Sequence, residues 1–184
     1  MKRFRVEWAS FFASFFIFVF LLPARSEAQD MPTALRTMDI SVFQGFETVN
    51  TGYANTRNNG VLFGANVTRY FGFPIAPSLE ARLNIANGSA VNEHTYLFGL
   101  RAQETLFQRY HPYANLLLGP GTVHSNYSTY EGKSIVYSYG AGVDIDIYSV
   151  IQAKLDFQGQ HWNLGQPGVL KPTVVSIGIA YHFH

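Results

Sequence analysis

The chain has no cysteine. No disulfide can therefore stiffen it, and a lipid anchor on an N-terminal cysteine is ruled out, so a small exported domain of this kind must find its stability elsewhere. Charge is also scarce: Asp, Glu, Lys and Arg make up 14% of the residues, against about 25% in an ordinary soluble domain. No basic tract is present beyond the N-terminal segment, which argues against a nucleic-acid partner. Helical periodicity is missing throughout. The one long apolar run, Phe11 to Leu22, falls short of the ~20 residues a membrane-spanning helix needs, and it ends at Pro23 and Arg25. Aromatic residues, in contrast, are abundant at 16%, with 11 Tyr and 16 Phe. Few charges and many aromatics fit a protein whose outer surface meets lipid.

The N-terminus reads as a removable address. Lys2, Arg3 and Arg5 precede the Phe-rich run, and Ser26-Glu27-Ala28 offers small residues before a cut after Ala28; this is the pattern of a secretory signal peptide. The expected organisation is a signal peptide over 1–28, a short polar leader over 29–36, and one β-domain over 37–184. Cleavage would leave 184 − 28 = 156 residues. The removed segment carries Lys2, Arg3, Arg5 and Arg25 against Glu7 and Glu27, so a net charge of +1 becomes +1 − 2 = −1.

The remainder alternates with a period of two, the mark of strands with one apolar and one polar face. In residues 151–158, Ile151, Ala153, Leu155 and Phe157 alternate with Gln152, Lys154, Asp156 and Gln158. The same pattern recurs in 38–42, 61–70, 78–86, 95–104, 112–122, 135–147 and from Val175 to the chain end, which predicts eight strands. The connections 47–60, 87–94, 123–134 and 159–172 read as long and polar, and those near 71–77, 106–111 and 148–150 as short. Alternating long and short loops predict an up-and-down barrel across a membrane, with the longer set outside the cell.

The polar face is not built like a solvent surface. It carries Gly64, Gly99, Gly119, Gly140, Gly142 and Gly178, with a limited set of charges: Asp39, Glu80, Arg82, Arg101, Asp144, Asp146, Lys154 and Asp156. A soluble exterior is about 25–35% charged, whereas small residues with paired opposite charges suit the interior of a narrow barrel. The expected fold is thus all-β, an eight-stranded antiparallel up-and-down transmembrane barrel with its apolar face outward and its lumen plugged by these side chains. A soluble lipocalin-like barrel with the apolar face inward would need more surface charge. Aromatics at strand ends (Tyr70, Phe71 and Phe73; Tyr137 and Tyr139; Tyr181 and Phe183) match interfacial girdles.

The signal, the eight alternating strands and the ending Val175-Ser-Ile-Gly-Ile-Ala-Tyr-His-Phe183 resemble the small outer-membrane β-barrels of the OmpA/OmpX type. The stretches Gly64-Ala-Asn-Val-Thr-Arg-Tyr-Phe-Gly72 and Tyr139-Gly-Ala-Gly-Val-Asp-Ile-Asp146 are similar in character to strands of that family. The resemblance implies a bacterial outer-membrane location, contact with outer-membrane lipid and lipopolysaccharide, and a last strand read by the barrel-assembly machinery through Tyr181 and Phe183. In the family that signal usually ends in Phe, whereas here His184 follows. The resemblance points to a non-enzymatic, anchoring barrel whose surface loops make contacts or adhere.

Two alternatives are an enzyme acting on lipid A and a narrow pore. A hydrolase needs a Ser nucleophile, a His base and a carboxylate near one barrel end. His124, Ser125, Ser128, Glu131 and His161 supply the types. However, His124 and Ser125 are adjacent, so on a strand they would point to opposite faces, whereas in the resembling lipid A deacylases the His and Ser lie two apart. No catalytic residue is therefore assigned. The six His show no metal-ligand spacing such as H-E-x-x-H, and neither metal nor cofactor is expected. Trp162 offers a sugar-stacking surface in a loop, although a Trp at the membrane boundary is the ordinary reading.

Overall fold

The computed structural model describes residues 38–52, 56–71, 74–127, 131–164 and 168–183. The expected signal peptide (1–28) and leader (29–36), Ser128 and His184 lie outside the described residues. Every element among them is a strand: β1 (Met38–Asn50), β2 (Arg57–Arg69), β3 (Ile75–Asn87), β4 (Val91–Glu104), β5 (Tyr110–Ser125), β6 (Glu131–Tyr148), β7 (Ile151–Asn163), β8 (Val169–Leu170) and β9 (Thr173–Phe183). Neighbours pair in antiparallel order from β1 to β7, and β9 lies between β7 and β1. Eight strands thereby close a barrel, while β8, only two residues long, pairs with the end of β7 through Trp162–Leu170 and Asn163–Val169. Closure gives each of the eight barrel strands a hydrogen-bonded neighbour on both sides through the apolar belt, which is what a β-protein needs in order to sit in hydrocarbon.

The alternation settles which face is inside. On β7, Lys154 is 2% and Asp156 4% exposed, whereas Leu155 and Phe157 are 43% and 54% exposed. The other strands follow suit. Ile40, Phe63, Leu79, Phe98, Leu100, Leu116, Leu118, Tyr139 and Ile177 stand outward, while Ser41, Asn66, Glu80, Arg101, Asn115 and Ser176 are buried. A soluble barrel would reverse this pattern. The apolar face lies on the outside, and a lipocalin-like arrangement is excluded.

The connections differ from the expectation. Segments 47–60, 87–94 and 123–134 are largely strand, leaving only 51–56, 88–90 and 126–130 between strands, and 159–172 contains the end of β7 and all of β8. These are little longer than 70–74, 105–109 and 149–150 at the opposite end. The reason is physical. Alternation marks a strand only while its outward residues are apolar, and above the apolar belt they become Asn50, Arg57, Asn87, Asn92, His94, Thr122, His124, Glu131, Lys133 and Asn163. The ladder continues regardless: β5 and β6 stay paired as far as His124 opposite Glu131. With 16 and 18 residues, these two strands greatly exceed the ~9–11 that a tilted strand needs to cross a bilayer. We call this polar end the upper rim. The two ends differ in the reach of their strands and not in the length of their loops. At the lower end, Leu106–Arg109 forms a tight turn in which Phe107 and Gln108 both adopt positive φ (51° and 61°), the backbone of a type I′ hairpin.

Candidate functional site

The lumen holds the only extensive charged cluster among the described residues, and β3, β4, β5, β6 and β7 build it. Glu80 and Arg82 lie two apart on β3 and so share the inner face; Arg101, Tyr113, Asp144, Lys154 and Asp156 reach the same level from the neighbouring strands. Arg82 Nε donates to Glu80 Oε1 at 2.9 Å, and its Nη1 donates across the barrel to Asp156 Oδ2 at 2.6 Å. Arg101 bridges Asp144 (2.5 Å) and Glu80 (3.5 Å). Lys154 Nζ donates to the second oxygen of Asp144 at 3.2 Å. Tyr113 Oη donates to Asp156 Oδ1 at 2.6 Å, and Asn115 Nδ2 to Glu80 Oε1 at 3.3 Å.

Aromatic rings complete the packing. Lys154 Nζ lies 4.6 Å from the Phe43 ring centre and 4.1 Å from that of Tyr113, while the Arg101 guanidinium stands 3.7 Å over Tyr113. Such contacts hold a desolvated cation by the ring quadrupole. Three cations face three carboxylates, so the ring is neutral, and each charge has a partner of opposite sign. That pairing is what makes charges tolerable at this depth, because an unpaired one would be costly.

Of the eight interior residues expected from the sequence, Glu80, Arg82, Arg101, Asp144, Lys154 and Asp156 come together here. Asp39 and Asp146 do not. Asp39 sits near the lower end, bonded to His182 Nδ1 at 2.8 Å, and Asp146 is half-exposed there, 3.0 Å from His111 Nε2 and accepting from Gln152 at 2.7 Å. His182 therefore belongs to a lumen pair with Asp39. Sequence reasoning missed Phe43 and Tyr113 as lumen residues. Their phase was the available signal, since Phe43 falls in step with Asp39 and Ser41, and Tyr113 with Asn115. Tyr181 and Phe183 stand on the outer face with their rings edge to face, 4.9 Å apart.

Above the charged ring the lumen changes character. Trp162 is 0% exposed and packs with Leu97, Leu117, Val123, Val136, Val91 and Ala90, against which Leu164 and Leu170 also rest. Its Nε1 donates to Gln160 Oε1 at 2.8 Å. This corrects both readings of Trp162: it lies neither in a sugar-binding loop nor at the lipid boundary, because the β7 ladder runs on through it and its even-numbered phase points inward. Gly121 makes room for it; a Cβ there would stand 2.7 Å from Trp162 Cη2. Glu47, Asn84, Glu93 and Thr95 are buried nearby.

The candidate hydrolytic residues are not assembled. His124 lies opposite Glu131 and Asn92 on the exposed face of the upper β5 strand, and Ser125, the next residue, turns the other way, with its Oγ accepting from the Tyr127 N–H at 3.3 Å. His161 lies opposite Tyr137 on β7. The described residues hold no Ser–His–carboxylate triad, and no three of their His, Asp and Glu side chains gather as metal ligands.

No family model matches the chain, and no curated protein sequence does. Solved structures do match. Neisserial surface protein A superposes with a TM-score of 0.54 at 12% identity, covering 79% of this chain and 97% of that one. Ail, the attachment invasion locus protein of Yersinia pestis, gives 0.52 at 13% identity over 80% and 99%. The fold is that of the small outer-membrane β-barrels. The N-terminal β-barrel domain of Pseudomonas aeruginosa OprF agrees, with 0.51 at 15% identity over 78% and 97%. At these identities the likeness speaks for the architecture, and the lumen and rim chemistry must be read from this chain's own residues.

Proposed function

We propose that the chain is an integral protein of the bacterial outer membrane, non-enzymatic and closed to solutes, which anchors itself by the barrel and presents its upper rim outside the cell for contact or adhesion. The observation that carries this reading is an apolar outer face wrapped around a lumen filled twice over, by the bonded charge ring and by the Trp162 cluster. A narrow eight-stranded barrel has room for side chains and little else, and lipid is the solvent that suits exposed Leu, Ile or Phe on each of the eight barrel strands. The long polar extensions of β5 and β6 support a projecting rim, the usual place for recognition on a rigid scaffold. That Ail is named for attachment and invasion is in keeping with the contact role. The partners in this reading are outer-membrane lipid and lipopolysaccharide, with the barrel-assembly machinery reading the strand that bears Tyr181 and Phe183.

Planar-bilayer recording of the refolded protein tests the closed lumen. The expected result is no discrete conductance steps. Steps that change when Asp144 or Arg101 is replaced by Ala would establish a pore through the ring. Mass analysis of lipid A with and without expression tests the absence of catalysis; the expected acyl pattern is unchanged, and an altered one would overturn the reading.

A further inference from the structure

The two acids above the ring lie where no cation of the described residues bonds to them. Glu47 on β1 is 3% and Glu93 on β4 4% exposed, and neither forms a salt bridge among the described residues. Both Oε atoms of Glu47, Oε1 of Glu93, the amide O and N of Asn84, and Oγ1 of Thr95 are buried without a hydrogen-bond partner. These four side chains line one cavity of about 10 Å³, space for a single water-sized guest, and Gln160 and Trp162 border it.

The ladder explains why the space exists. Glu47 lies opposite Gly60, Gly60 opposite Ala86, and Ala86 opposite Glu93. Two acids thus flank two residues that have nothing beyond Cβ. Asn84 and Thr95, one inward step below, also lie opposite each other, which places a neutral oxygen donor on each strand beneath the acids.

Buried polar atoms almost always have partners, and two desolvated carboxyl groups with no bonded cation must either stay neutral or take a counter-charge. The ligand chemistry is all oxygen: two carboxylates, one amide carbonyl and one hydroxyl. It lacks thiolate and imidazole, which soft and borderline metals prefer. Two negative charges match one divalent ion. Two carboxylates able to bind through one or both oxygens, with the two neutral oxygens, form a flexible set that suits calcium better than magnesium, which demands a near-ideal octahedron. We propose that Glu47, Glu93, Asn84 and Thr95 form a binding site for a hard divalent cation, calcium by preference, inside the upper third of the barrel.

Trp162 provides a built-in probe. The chain has two tryptophans, Trp8 and Trp162, and the mature protein after cleavage at Ala28 would keep the one that borders the cavity. Terbium, which takes calcium's oxygen ligands, would be titrated into the folded, detergent-solubilised mature protein under tryptophan excitation. The expected result is saturable sensitised emission that calcium displaces, with affinity weakened roughly tenfold or more in Glu47→Gln and Glu93→Gln and emission lost in the double variant. Calcium would also raise the thermal unfolding midpoint of the natural protein and leave that of the double variant unmoved. Unboiled gel migration reports that each variant still folds. Emission unchanged in a folded double variant would overturn the site, and so would a lack of saturable emission in the natural protein. In either case the two carboxyl groups are held as neutral acids.

Discussion

Midway along the lumen, Arg82, Arg101 and Lys154 meet Glu80, Asp144 and Asp156 at bonding distance; a few residues higher on the same strands, Trp162 and its aliphatic neighbours fill the same bore, with Glu47 and Glu93 beside them. Both regions close the barrel, by different physics. The ring is neutral and internally bonded, so its charges lean on one another and removing one strands the others. The upper plug holds by apolar contact, which responds to volume, and its acids form no salt bridge among the described residues. The ring also constrains register. A one-residue slip of β7 would move Lys154 and Asp156 to the lipid face, so the ring penalises misregistered barrels strongly even where its net contribution to stability is small.

Breaking the ring should have the largest effect. Arg82→Met removes the cation shared by Glu80 and Asp156 and should cost about 3–5 kcal/mol, read as a lowered denaturant midpoint for the barrel refolded in lipid vesicles; a shift close to zero would mean that the carboxylates are relieved by water. Next comes the outer wall at mid-height. Leu116→Arg, at a site 68% exposed on the apolar face, should cost about 2–4 kcal/mol in vesicles, whereas Thr122→Arg, two inter-residue steps of the same phase above Leu118, should cost at most about 1 kcal/mol because it faces the wet extension. Equal costs at the two sites would contradict the boundary drawn between belt and rim.

The plug should answer to volume. Gly121→Ala pushes a methyl group against Trp162 and should cost about 1–3 kcal/mol, with a red-shifted, more quenchable Trp162 fluorescence as its signature; no spectral change would show that the indole has slack. The smallest effect sharpens the contrast with the ring. Glu131 and Lys133 form a salt bridge of 3.1 Å at the upper rim, where their side chains are 54% and 72% exposed. Lys133→Ala should alter stability by about 0–1 kcal/mol, and a ring-sized loss there would mean that the rim is less wet than its composition implies.

Much of this barrel was legible in the chain. Ile151 to Gln158 show why: alternation assigns each residue to a face, and the scarcity of charge chooses which face is out. The strand tops were not legible by that route, because Thr122, His124, Glu131 and Lys133 are polar on the outside and the alternation vanishes while backbone pairing goes on. The same polar outer residues conceal the plug, since Trp162 then reads as a loop residue, and they conceal Glu47 and Glu93, which fall in the expected loops and so do not read as inner-face positions. Phe43 and Tyr113 are hidden for another reason: alternation marks the inner face by its polar residues, and these two are aromatic.

The sequence by itself determined that eight segments would each bury a polar face and expose an apolar one, because a period of two is a local property that any strand must express. Tertiary structure alone decided which charges meet. Arg82 and Asp156 are 74 residues apart, and Glu47 reaches the cavity it shares with Glu93 only because Gly60 and Ala86 lie between them in the ladder. Height inside a closed barrel is set by register accumulated from strand to strand around the ring, and no single segment carries that sum.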